Sequence, residues 1–159
     1  MLRHFHGLRR CPSLAALLPA PLTLGVRAQA VALDIGLRKT GSSYEHRFSL
    51  PAEEHYWFMH PWLKEVHKTC GIYVDLYGDA EFHSGKGLGV LESKLRAALA
   101  AAENGPPTWQ VHVGTQLRPE KKQLYMQVVR KEVVQTISNF LVVLQEAKEA
   151  DATVVCNGD

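Results

Sequence analysis

A chain of 159 residues, 46% hydrophobic and 21% charged, has the size and composition of one globular domain, since domains cluster near roughly 100–150 residues. Those figures exclude a disordered tail, a collagen and a disulfide scaffold. The net charge of +2 is unevenly divided: residues 1–40 carry six basic side chains against Asp34 alone, and the remaining 119 residues hold 12 basic and 15 acidic ones. Past residue 40 the chain is therefore mildly acidic, and a phosphate-tracking surface is not indicated, so nucleic acid is not an expected partner. Pro19, Pro21 and Arg27 interrupt the most apolar stretch, which leaves no run of about 18 apolar residues and predicts no membrane span.

Residues 1–30 read as a cleavable or disordered leader, and residues 31–159 as a single globular domain. The leader runs from basic Arg3, Arg9 and Arg10 through apolar Ser13–Val26 to Ala28-Gln29-Ala30, with no acidic residue before Asp34. That order fits a secretory signal with its small-residue cleavage site, and equally an Arg-rich, acid-free mitochondrial presequence. A start of translation further in would also account for it. Two prolines in the apolar part and an arginine just before the cleavage site weaken the secretory version, and the mitochondrial one is favoured. Cys11 falls in the leader, and Cys70 and Cys156 form no CxxC pattern, so free, buried thiols are expected.

In chain order, Val31–Ile35 and Glu45–Leu50 have strand character around the turn Thr40-Gly41-Ser42-Ser43. Ser49-Leu50-Pro51-Ala52-Glu53-Glu54 marks a helix start, with a serine available as cap and acidic residues near the positive end of the dipole. Pro61 should kink this helix, and Gly71 should end it. Ile72, Val74 and Leu76 alternate, predicting a strand over Gly71–Tyr77. Leu88, Leu91, Leu95, Leu99 and Ala102 recur at helical spacing, and Asn104-Gly105-Pro106-Pro107 stops that helix. Trp109, Val111 and Val113 alternate as a second strand, and Gly114–Glu120 turns the chain. Met126, Val129, Val133, Ile137, Phe140, Leu144 and Ala147 then fit one long helical stripe, and Thr153–Cys156 is a β-branched last strand.

The expected fold is α/β or α+β: a small sheet of about three to five short strands packed against two or three helices, the longest near residues 121–150. Parallel neighbours follow if each helix is a right-handed crossover. An antiparallel arrangement follows if the strands before residue 50 join the same sheet.

Candidate chemistry is sparse. Asp75, Asp79 and His83 are spaced by four and would share a helical face as metal ligands, although Gly78 and the alternation around it argue against a helix there. His60 and His67 lie seven apart, about 10.5 Å along a helix, too far for one zinc ion. Gly85-Lys86-Gly87-Leu88-Gly89 lacks both the P-loop glycine spacing and the dinucleotide fingerprint, so no cofactor is implied. Cys70 lies three residues from His67 without a third orienting group, and no GxSxG elbow occurs.

The densest unusual stretch is His55-Tyr56-Trp57-Phe58-Met59-His60-Pro61-Trp62. One helical stripe cannot bury all of its rings, and aromatics are enriched at binding hot spots. Tyr56, Trp57 and Trp62 are therefore the candidate partner-binding residues. The expected function is a noncatalytic protein-interaction module, using this segment and an acidic face to hold a protein partner. In size, mild acidity and lack of an evident active site the chain resembles bacterial immunity and antitoxin proteins, which implies an inhibitor that blocks a partner. The alternative is a small hydrolase or metal-dependent enzyme built on Asp75, Asp79 and His83.

Overall fold

The computed structural model describes residues 33–158, so the leader expected over residues 1–30 lies outside the described residues. Six strands and three helices follow one another as β1 (Leu33–Arg38), β2 (Glu45–Ser49), α1 (Glu53–Cys70), β3 (Ala80–Phe82), α2 (Lys86–Glu103), β4 (Thr108–Gln116), β5 (Lys122–Val129), α3 (Arg130–Glu149) and β6 (Thr153–Gly158). The main sheet has the order β2-β1-β6-β3, and β4 and β5 form a separate two-stranded sheet. Every pairing is antiparallel. The fold is thus α+β, and the parallel crossover alternative does not occur among the described strands. The last strand, β6, lies between β1 and β3, because its β-branched residues fit a position paired on both edges.

Strand alternation sets the two faces of the main sheet. Leu33, Ile35 and Leu37 of β1, Val154 and Cys156 of β6, and Ala80 and Phe82 of β3 are buried and, by register, share one face. Phe48 of β2 joins them, its ring edge-on to Phe140 of α3 with centroids 6.0 Å apart. The stripes of α2 (Leu88, Leu91, Leu95, Ala98, Ala102) and α3 (Val133, Ile137, Phe140, Leu144, Ala147) complete this core. The opposite face is mixed: Val155 is buried there between Gly36 and Glu81, beside an Arg38–Glu81 ion pair across the sheet and with His83 Nδ1 2.9 Å from Thr153 Oγ1.

Three local expectations are revised. Val74 and Leu76 are buried as their alternation implies, yet Gly71–Asp79 is a loop with a single bridge between Asp75 and Gly78, and the strand begins at Ala80. The loop is pinned at close range, since a Cβ on Gly158 would collide with the Leu76 carbonyl, and Gly158 N donates to Gly78 O at 3.2 Å. The longest helix runs over Arg130–Glu149, while Lys122–Val129 is strand β5. Leu124, Met126 and Val128 have period two, and β4 supplies the partner that makes this the better pattern. Finally, α1 starts at Glu53 behind Ala52, which makes no side-chain cap. It continues through Pro61 and ends at Gly71 with φ 77°, the left-handed turn glycine tolerates best.

Candidate functional site

The aromatic run on α1 splits between core and surface. Tyr56 is 1% exposed, with its hydroxyl donating to Val74 O at 3.1 Å. Burial raises its pKa above the ordinary tyrosine value. It ties the 71–79 loop to α1 and does not reach the surface. Trp57 and Trp62 are half-buried against the core. Trp57 stands edge-on to Tyr56 and to His60, with its Nε1 donating to Glu53 Oε1 at 2.7 Å. Trp62 packs on Phe58, and Phe58 packs on Trp109 of β4, with centroids 5.3 and 5.2 Å apart.

Trp109 explains how one segment accommodates so many rings. The hairpin β4–β5 crosses the flank of α1 and provides a second apolar surface beside the sheet core. Trp57, Phe58, His60, Pro61, Trp62, Val111 and His112 line a shallow open groove where the two meet. On β4–β5, Trp109 pairs with Val128 and Val111 with Met126, so these four side chains face the same way. The register shifts between His112 and Gly114, a bulge that increases local twist.

Beyond the bulge the ribbon is exposed. Leu117, Tyr125 and Leu124 have relative exposures of 72%, 56% and 38%. Its turn carries Arg118, Lys121 and Lys122 against Glu120, a local positive charge in the part of the chain past residue 40, which is otherwise mildly acidic. The other face holds a polar ladder: His112 lies against Tyr125 with centroids 5.5 Å apart and bonds Gln123, and Thr115 Oγ1 donates to Gln123 Oε1 at 2.8 Å. Among the described residues no third strand pairs with β4 or β5, so each keeps an open backbone edge.

The other candidates disperse. Asp75 Oδ1 accepts weakly from Tyr77 N at 3.4 Å within its turn. Asp79 is exposed at the end of the loop, and His83 is engaged with Thr153 across the sheet. Among the described residues no three His, Cys, Asp or Glu side chains are grouped as metal ligands. Cys70 is half-buried with its Sγ donating to Val66 O at 3.1 Å, and Cys156 is buried. Burial pushes the Cys156 thiol up to about 12.

Two groupings have no counterpart in the sequence reading. On the outer face of β1–β2, Ser49 donates to Asp34, and His46 Nε2 lies 3.1 Å from Ser49 Oγ and 3.6 Å from Asp34 Oδ1. The three residue types are those of a hydrolytic triad, but the order is wrong. The serine proton goes to the carboxylate, and one imidazole nitrogen faces both partners, so the histidine neither receives that proton nor is oriented through its second nitrogen. The other grouping joins His55 of α1 to Thr136 of α3, 2.8 Å apart from Nδ1 to Oγ1. Their separation of 81 residues left no local pattern to find.

Comparison of the chain with protein-family models, with curated proteins and with solved structures gives no match. Among the described residues no helix is long and apolar enough to cross a membrane.

Proposed function

We propose that the protein is a noncatalytic protein-interaction module whose working part is the β4–β5 ribbon with the adjoining Trp57–Trp62 flank of α1. The occupant we assign is an extended, acidic segment of another protein. It would add a strand to an open edge of the ribbon and place apolar side chains along the α1 groove. The observation that carries this reading is the ribbon itself, a two-stranded sheet unpaired among the described residues and with exposed Leu117, Leu124 and Tyr125. Natural sheets ordinarily cover, shorten or charge such edges. The turn charges Arg118, Lys121 and Lys122 discourage pairing between copies and favour an acidic segment. No particular observation favours the alternative of an enzyme built on Asp75, Asp79 and His83.

The test compares proteins captured by the full chain with those captured by Lys121→Glu/Lys122→Glu, by Trp62→Ala and, as a control at an exposed residue outside the ribbon and the groove, by Asp79→Asn. A partner is expected that binds wild type and control alike and is weakened at least about tenfold by the charge reversal. Trp62→Ala should weaken it by about 2 kcal/mol. Capture that is unaffected by both ribbon-side variants would overturn the assignment.

A further inference from the structure

Among the described strands four edges are open to a further strand: β2 and β3 at the two sides of the main sheet, and β4 and β5 on the ribbon. They are not equally receptive. β2 carries Glu45 and Arg47, and Arg47 is tied to Glu146 of α3. β3 has only three residues. β5 begins at Lys122, packs on α3 and runs straight into it after Val129. The sequence of β4, Thr-Trp-Gln-Val-His-Val-Gly-Thr-Gln, holds no proline and no Asp, Glu, Lys or Arg. Charge, proline, shortness, bulges and covering elements keep natural sheet edges from pairing. Between Thr108 and His112, ahead of its bulge, β4 is neither charged, interrupted nor short.

The register fixes which backbone groups of β4 face outward. Arg130 N donates to Pro107 O at 2.9 Å, which makes Pro107 and Arg130 a hydrogen-bonded pair one step beyond Thr108 and Val129. Antiparallel pairs alternate between hydrogen-bonded and non-hydrogen-bonded positions. Trp109 and Val111 therefore direct their N–H and C=O groups to Val128 and Met126. Thr108, Gln110 and His112 turn theirs away from β5, and all three residues are exposed. Three donors and three acceptors thus stand in a row at intervals of about 7 Å, with no partner strand among the described residues. The groove lies at this end of β4, lined by Val111 and His112 together with Trp57, Phe58 and Trp62 of α1. The basic turn lies at the other, where Gln116 pairs with Lys122.

Resting on the reading above that the ribbon takes an extended acidic segment, we propose that β4 is the edge that accepts it, and that the segment runs antiparallel to β4 with its acidic residues ahead of its apolar ones. Antiparallel pairing is the more stable per residue, and it reverses the order of contacts. The first residues of the segment then lie beside Gln116 and the turn, where Arg118, Lys121 and Lys122 attract carboxylates. The later residues lie beside His112 to Thr108. Those opposite Val111 and Trp109 share the face on which Trp109 packs against Phe58, and they are apolar. Those between them face the other way and are polar. The partner is recognised by a pattern: acidic residues, then apolar residues at every second position.

The test titrates the ¹⁵N-labelled full chain with a peptide blocked at both ends, Glu-Asp-Glu-Thr-Val-Thr-Val-Thr, and with the same residues in reverse order. The first peptide should shift the amides of Thr108, Gln110 and His112, slow their exchange with solvent and saturate below about 1 mM. The reversed peptide should need about tenfold more. Gln110→Pro removes an outward N–H and no bond to β5, and Gln127→Pro does the same on the β5 edge. Gln110→Pro should weaken the first peptide at least about tenfold, and Gln127→Pro should leave it unchanged. Protection gained instead at Tyr125, Gln127 and Val129 would move the strand to β5 and overturn the inference. Equal binding of the reversed peptide would overturn the chain sense, and no shift with either peptide up to about 1 mM would overturn the whole pattern. These outcomes are read on the wild-type chain, so they stand even if a variant fails to fold. The reading beneath them is decided separately, by whether a captured partner responds to Lys121→Glu/Lys122→Glu.

Discussion

Ile137 and Phe140 show how much of the molecule rests on single side chains. Both are fully buried on α3, and Phe140 also meets Phe48 of the sheet. Replacing either by alanine should cost about 2–5 kcal/mol through lost burial and an unfilled cavity, read as a drop in the denaturant midpoint. A cost below about 0.5 kcal/mol, the range of surface substitutions, would contradict the packing. His55 makes a prediction of a different kind. Burial holds its pKa below the ordinary imidazole value of about 6.5. His60 is lowered too, by burial and then by Lys64, with Asp75 opposing. The unfolded chain therefore takes up protons at these rings before the folded one does. Their contribution is fully present above the ordinary imidazole value and is lost as pH falls through it toward the lower folded values. Denaturant midpoints should decline from about pH 7.5 to 5.5, and the decline should be smaller in His55→Gln. A flat profile would show that the ring is not buried as described.

At the scale of elements, legibility followed whether a pattern is local. The α2 stripe and its stop at Asn104, the glycine end of α1, and the strand at Trp109 depend on neighbours a few residues away, and each is found where its residues place it. Leu95, Val133, Ile137 and Phe140 are core residues for the same reason. Residues 122–129 do not read uniquely, because Met126 and Val129 fit a helical stripe as well as a strand. The choice is made by β4, which no window on β5 can see. Of the candidate site, the half-buried Trp57 and Trp62 were legible as aromatic excess. The ribbon that makes a groove beside them was not, and neither was His55, whose partner lies on another helix. The ribbon also carries a dynamic prediction. Two-stranded sheets are marginal alone, and packing on α1 supports β4–β5 near Trp109 and Val111 but leaves Leu117 and Tyr125 exposed. Backbone amides of residues 114–116 and 122–124 should exchange with solvent well before those of Trp109, Val111, Met126 and Val128. Equal protection along the whole ribbon, to the level of β1 and β6, would show that its outer half is held by contacts absent from this description.

For the whole molecule, the sheet order β2-β1-β6-β3 makes folding wait for residues 153–158. The strand between β1 and β3 comes from residues 153–158, so β1 gains this neighbour only after more than a hundred residues have been bridged. Such long-range pairing slows folding relative to helical bundles of similar size. It also means that opening the sheet and losing the core are one event, because Val154 and Cys156 face the same interior as Ile35 and Phe140.

The placement of Cys156 turns that cooperativity into a clock. Its sulfur lies in the middle of the central strand, fully buried, and its raised pKa leaves almost no thiolate at neutral pH. Cys70, at the end of α1, is only partly covered. A thiol reagent added to the native protein should therefore mark Cys70 promptly and Cys156 only during excursions that break the sheet. For a stability of about 5 kcal/mol or more, modification of Cys156 should lag by roughly 10³-fold or more, resolved by peptide mass so that Cys11 is counted separately. Its rate would then time the opening of the native state without denaturant, in any buffer and beside any partner. Modification of Cys156 as fast as that of Cys70 would mean that β6 detaches on its own.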